Sequence, residues 1–480
     1  MKRFLTLFLT FAILFGLCAC GGNGGKKAGL QVGFGRASTL PDEQVTLAGG
    51  DANTRKSQGY MDEIFATCIA MTEGDETILM YTLDTITILE SVYAVQEDIS
   101  AATGIPTENI ILNATHDHSS PSFGGSLTET YKAKFTQACI TAATDAIADQ
   151  SAAEIYYGST HATKLCFVRH YILSNGNQYG THQGSKTKGN ATIASHAYDA
   201  NDTLQVIKFA RAAEDKKDIV LMNMGAHPNI AQAVDRTLIS ADWPGYARAY
   251  VEENTDSLCA VFLSAAGDQG QGSDIKENVL FTGNRRFAEL GEAAGKYCVD
   301  VLNGEMAKAE GSGIKLSIKQ YTGKANKEGT DNSERMAQAV NVNNNMSQHG
   351  SSHVLTNQAV AEADLIDSVY EAQGLVNRSK YPDTFTMDIH ALTVGGISFI
   401  FAPYEMFGES SQYIMDNSPY GMTFIVSCSE NPGGHMGYIP SKYGCENSFY
   451  EYDVTKFATG TAEDLAKTYV EMLTELQNAN

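Results

Sequence analysis

The feature that most constrains this chain is an alternation. Short apolar runs of strand length take turns with longer amphipathic ones. Residues 77–83 read as a strand, 92–103 as a helix closed by Gly104-Ile105-Pro106, and 109–114 as a second strand. Residues 131–150 form a long helical pattern. Residues 204–209, 219–224 and 260–263 are further strand-like runs, and 285–302 reads as a helix ended by Asn303-Gly304. A hairpin is predicted over 386–394 and 397–401 across Gly395-Gly396, then a strand at 422–426 and a terminal helix at 462–477. This order predicts an α/β fold with mixed β-sheets flanked by helices. The polar stretch 323–354, with Asn341-Val342-Asn343-Asn344-Asn345, reads as a long surface loop or a subdomain joint.

The ends of the strand runs carry the chemistry. Asn109-Ile110-Ile111-Leu112 runs into Thr115-His116-Asp117-His118-Ser119-Ser120-Pro121. In an extended chain His116 and His118 face one side and Asp117 the other. Imidazole is a common zinc ligand, so the pair is a natural start to a metal site, although an incidental surface pair has the same spacing. His227 follows the strand run 219–224, and alone it reads as structural or as a ligand. Ser264-Ala265-Ala266-Gly267-Asp268 follows the run at 260–263; Ser264 suits a nucleophile, a donor or a turn cap. Glu405 follows 397–401 and suits a helix cap or a carboxylate ligand. Gly433-Gly434-His435-Met436-Gly437-Tyr438 follows 422–426. Five strand ends each offering a reactive side chain carry more weight together than any one alone. Gly33-Phe34-Gly35-Arg36-Ala37 only half fits a dinucleotide fingerprint. His349 and His353 lie four apart in the polar stretch and read as solvated.

The N-terminus predicts export. Lys2 and Arg3 precede an apolar stretch, residues 4–17, that is shorter than the ~20 residues needed to span a bilayer. Leu17-Cys18-Ala19-Cys20-Gly21 resembles a bacterial lipoprotein signal. That resemblance implies a signal peptide over 1–19, lipid on Cys20, a flexible Gly/Lys tether over 20–29, and an extracytoplasmic, membrane-anchored protein. An ordinary secretory signal cleaved nearby gives the same side of the membrane. The rest, 30–480, suffices for one large domain or two smaller ones, and nothing marks a separate C-terminal module.

Composition narrows the partners. The chain is 43% apolar and 19% charged, which suits a globular protein. Its formal net charge of −22 argues against nucleic acid and against electrostatic adhesion to anionic lipid, so a lipid anchor must supply any membrane attachment. Beyond the lipobox the cysteines are odd in number, with no Cys-x-x-Cys pair, which excludes a disulfide framework or zinc ribbon. A Cys428–Cys445 bridge is conceivable and nothing supports it.

Taken together, these residues resemble the neutral/alkaline ceramidase family of zinc amidases. The family's Thr-His-Thr-His-Ser-Gly-Pro reads here as Thr115-His116-Asp117-His118-Ser119-Ser120-Pro121. Val32-Gly33-Phe34-Gly35-Arg36-Ala37 resembles its opening strand, and the Gly-Asp turn, Pro403-Tyr404-Glu405 and Gly437-Tyr438-Ile439 resemble its later segments. The resemblance implies a single catalytic domain over 30–480, without the family's C-terminal immunoglobulin-like module. It implies zinc held by His116, His227, Glu405 and Tyr438. It places His118 beside the metal or against the reacting amide, Arg169 in substrate positioning, Tyr450 at the oxygen of the reacting centre, and Ser264 as nucleophile or hydrogen-bonding group. The activity implied is cleavage of ceramide-like lipid amides. Asp117, Ser120, Gln269-Gly270-Gln271-Gly272 and Gly433-Gly434-His435 depart from the family's pattern and weaken the case for ceramide itself. His435 could join the metal site or compete with Tyr438. Two other readings stay open: the same scaffold acting on another amide or ester, and a non-catalytic surface lipoprotein with a ligand-binding site.

Overall fold

The computed structural model describes residues 29–49, 54–124, 127–183, 185–272 and 283–479. The lipobox and Cys20 therefore lie outside the described residues. A large mixed sheet contains β1 (Gln31–Ser38), β2 (Phe65–Glu73), β3 (Glu76–Leu83), β4 (Ile110–Ile111), β5 (Ser151–His161), β6 (Thr203–Arg211), β7 (Asp218–Met224) and β8 (Ser257–Leu263), in the order β8-β7-β6-β5-β1-β2-β3-β4. The pairs β7–β8 and β3–β4 are parallel and the rest antiparallel. A second sheet contains β9 (Ile314–Lys324), β10 (Thr384–Val394), β11 (Ile397–Phe401) and β12 (Thr423–Val426); only β11–β12 is parallel.

Strand alternation builds the layers. Along β2, Cys68 and Ala70 face one core while Ile69 and Met71 face another, and along β3, Leu79 and Tyr81 separate from Ile78 and Met80 in the same way. One face of the large sheet packs on the helices Glu129–Ala148, Asp242–Asn254 and Arg286–Leu302. Its other face packs on the second sheet through Phe34, Phe209, Phe262, Phe399, Phe401 and Phe424. The second sheet's outer face is covered by the helix Thr461–Asn478 through Leu465, Tyr469 and Leu473. The result is four layers, helix–sheet–sheet–helix, and the expected α/β class with mixed sheets holds.

One reading changes and two are sharpened. Gly33 and Gly35 serve packing: a Cβ at either would stand 2.0 Å from the Ala146 or Ala142 carbonyl oxygen, so glycine lets the helix Glu129–Ala148 lie directly on β1. The polar stretch 323–354 is largely helix, Ser333–His349, because the Asn332 side chain caps it by accepting from Arg335 N and Ala339 and Val342 bury one face. Cys428 and Cys445 are free thiols.

Candidate metal centre

Three parallel strand pairs send their carboxyl ends to one place. Backbone bonds stitch them together across the two sheets. Ala114 N donates to Cys428 O (3.1 Å), Ser427 N to Leu263 O (2.9 Å), and Gly267 N to Met406 O (2.8 Å). The two-residue strands Glu405–Met406 and Tyr438–Ile439 pair in parallel, which sets Glu405 beside Tyr438. Gly267 belongs to this junction, since a Cβ there would meet the Glu405 backbone carbonyl oxygen at 2.7 Å.

The histidine segment is not the extended strand expected from its spacing. The strand ends at Ile111, only isolated bridges follow at Asn113 and Ala114, and His116 has a left-handed φ of 63°. Thr115 N and Asp117 N donate to Leu83 O and Thr85 O on either side of this kink, and His118 N donates to Pro228 O. Held this way, a sparsely populated backbone conformation brings the two imidazoles together instead of leaving them side by side on a strand. Asp117 does face away. Its Oδ1 accepts from Ser119 N (2.7 Å). Burial, with Asp242, Asp84 and Asp62 nearby, pushes its carboxyl well above the ordinary range.

His116, His118 and His227 form a group whose ligand atoms all lie within 4.8 Å of one another. His118 Nε2 is 3.3 Å from His116 Nε2 and 3.0 Å from His227 Nε2. Glu405 Oε2 lies 3.2 Å from His116 Nε2, yet it is buried and makes no geometrically sound hydrogen bond. The anchors of two rings are set by chemistry. His116 Nδ1 faces the Ile86 carbonyl at 2.7 Å and His227 Nδ1 the Ala266 carbonyl at 3.3 Å. A carbonyl only accepts, so Nδ1 carries a proton in both rings and Nε2 is the atom left facing inward. Nitrogens held about 2.0–2.1 Å from a tetrahedral zinc stand about 3.3–3.4 Å apart, close to the spacing seen. A buried orphan carboxylate oxygen beside inward ring nitrogens fits a cation. Electrostatics agree. Burial and the neighbouring charges push His118 down to about 3 and His227 well below its usual range, so both are neutral donors of a lone pair. Burial opposes ionisation of Glu405 and of His116 alike, but each charge favours the other. Cys428 and the carboxylate raise His116 well above its usual range, and the imidazolium holds the carboxyl low, a pair whose Nε2 proton a bound cation would replace.

Neutral ceramidases share this architecture. The neutral ceramidase from Pseudomonas aeruginosa matches with a TM-score of 0.69 over 95% of this chain and 75% of its own, at 15% identity. A ceramidase complexed with C2 matches at 0.68 over 94% and 76%, again at 15% identity. The fold is that of the neutral ceramidases. No protein-family model and no curated protein sequence matches the chain.

The other expected residues sit around this centre. Tyr438 is buried, with the Arg169 guanidinium 5.8 Å from its ring centre and the Tyr450 ring 5.8 Å away. Arg169 is occupied internally: it donates to Gly267 O and, at 2.8 Å, to Glu451 Oε1. Burial opposes ionisation of Glu451 too, but His170 (3.0 Å) and Arg169 keep it below the usual carboxylate range. Ser264 stands at the end of β8, where its N donates to Met224 O on β7, one strand from His227. Tyr450 packs against Tyr370 (4.9 Å) and His182 (4.8 Å) as well as Tyr438. Glu451, Tyr370 and His182 carry no motif; only Glu451's position next to Tyr450 could have marked it. Gln269, a departure from the family's pattern, is a buried tie that accepts from Asn201 N (2.6 Å) and donates to the Gly225 carbonyl.

His435 approaches from the glycine-rich loop. Its ring stacks near His116, 6.3 Å between centres at 28°. Its Nδ1 accepts from Gly437 N at 3.1 Å, while Nε2 is buried with no partner.

Proposed function

We propose that the chain is a zinc-dependent amidohydrolase that cleaves the N-acyl amide bond of ceramide-like lipids, releasing fatty acid and sphingoid base. One observation carries the reading: the inward Nε2 atoms of His116, His118 and His227 converge beside the orphan Glu405 oxygen at the strand ends. The ceramidase fold supports the same chemistry. His116, His227 and Glu405 would hold the metal, with Tyr438 completing the set. Bound there, zinc lowers the pKa of a water to about 7 and polarises a carbonyl.

The chain's own residues do the rest. Burial raises the Tyr450 phenol well above its usual range, so its hydroxyl keeps its proton and donates to the acyl oxygen. His118, a neutral base with Nε2 in the cluster, takes the proton that the attacking water gives up and returns it to the departing nitrogen as the C–N bond breaks. Ser264 orients the substrate from the end of β8. Arg169 acts at one remove, fixing Glu451 and the Tyr438 ring. Lipid on Cys20 would keep the enzyme at the membrane that contains its substrate.

The test pairs metal analysis of the purified full chain with hydrolysis of a panel of ceramides, other N-acyl amides and esters. One zinc per chain and fastest turnover of ceramides is the expected result. Inertness toward every ceramide, with turnover of another amide or ester, would move the substrate elsewhere on the same scaffold. Absence of bound metal would sink the enzyme reading. His118→Ala separates the cluster's members: retained metal with lost turnover fits proton transfer, and lost metal makes His118 a ligand. Cys20→Ser is expected to move the protein from the membrane fraction to the soluble one.

A further inference from the structure

We propose that His435 is a fixed N–H donor of this centre, aimed at the acyl oxygen of the substrate, and not a metal ligand. The inference rests on the amidohydrolase reading above for its substrate and on hydrogen-bond geometry for its chemistry. A backbone N–H cannot accept. Because Gly437 N donates to His435 Nδ1 at 3.1 Å, Nδ1 must present a lone pair. A proton on Nδ1, in either the other tautomer or the imidazolium, would set two N–H groups against each other. The neutral ring therefore carries its proton on Nε2, the buried atom with no partner. His116 and His227 are the opposite case: carbonyls hold their Nδ1 protons and leave Nε2 as the inward atom. The same ring atom is thus a ligand atom in two histidines and a donor in the third.

The loop that carries His435 is built to hold it. Gly434 N donates to Asn431 O (2.8 Å) and Met436 N to Pro403 O (2.9 Å). Asn431 Nδ2 donates to Gly434 O (2.9 Å), and Lys456 Nζ to His435 O (3.2 Å). Left-handed Gly434 and Gly437 (φ 75° and 74°) bracket the residue. A buried N–H with no partner is costly in a resting protein, and it is what a preorganised donor for a developing oxyanion requires.

Three measurements on the zinc-loaded full chain test this. Zinc stoichiometry in His435→Ala is expected to stay at the native value; its loss would make His435 a ligand and overturn the proposal. Turnover of an N-acyl amide by His435→Ala is expected to fall about 10²-fold in kcat with little change in KM, and His435→Gln, which keeps an N–H donor, is expected to recover part of it. Unchanged kcat in both variants would overturn it. The ¹⁵N spectrum of His435 in native protein reads the tautomer independently of activity. A proton on Nε2 supports the proposal even if no amide is turned over, a result that would sink the amidase reading alone; a proton on Nδ1 overturns the proposal itself.

Discussion

At the residue scale, the centre depends on which ring nitrogen carries a proton and on one left-handed residue. Three histidine ring atoms of the same name differ in role because their outer partners differ: two carbonyls and one amide. His116→Ala, His227→Ala and Glu405→Ala are each expected to lose stoichiometric zinc, read by metal analysis after desalting. Away from the centre, Asp453 offers a pH test. Burial and Glu371 push its carboxyl up to about 8, although Arg378 at 3.9 Å pulls the other way. The folded chain therefore keeps a proton that the unfolded chain releases above about pH 4. Stability from this group is complete below pH 4 and is lost as pH rises toward 8. Denaturant unfolding across that window is expected to show a falling slope that Asp453→Asn flattens.

At the element scale, two sequence features are explained by contact. The glycines of β1 exist because a helix lies on the strand at backbone distance. Gly35→Ala is expected to cost about 1–3 kcal/mol or more, since a methyl group would press on the Ala142 carbonyl and the helix would have to shift. The helix Ser333–His349 depends on its first turn. Removing its cap with Asn332→Ala is expected to cost about 1 kcal/mol, measured as a shift in denaturation midpoint. Its asparagine-rich middle looks like loop in sequence because asparagine competes for backbone bonds. Packing of Ala339 and Val342 on its neighbours overrides that preference.

At the scale of the whole molecule, the two sheets share one aromatic core, so the histidines of the first and the Glu405 that follows the second come from layers that unfold together. Phe399→Ala, at the centre of that core, is expected to cost about 3–5 kcal/mol and to lower a single transition seen alike by far-UV and aromatic signals. Most of the architecture was legible in the chain. The runs near 77–83, 219–224, 260–263 and 386–401 became β3, β7, β8, β10 and β11, because period and length are local properties. The reactive side chains were legible too, as the residues that follow strand runs. Their roles were not. The left-handed φ of His116, the closeness of His118 Nε2 to the two anchored rings, and the tautomer of His435 come from partners 30 or more residues away, or from a loop closing on itself. Sequence by itself determined which donors reach the sheet's ends; only the tertiary structure decided which atom of each faces inward, because a ring nitrogen's proton is set by whatever stands on its far side.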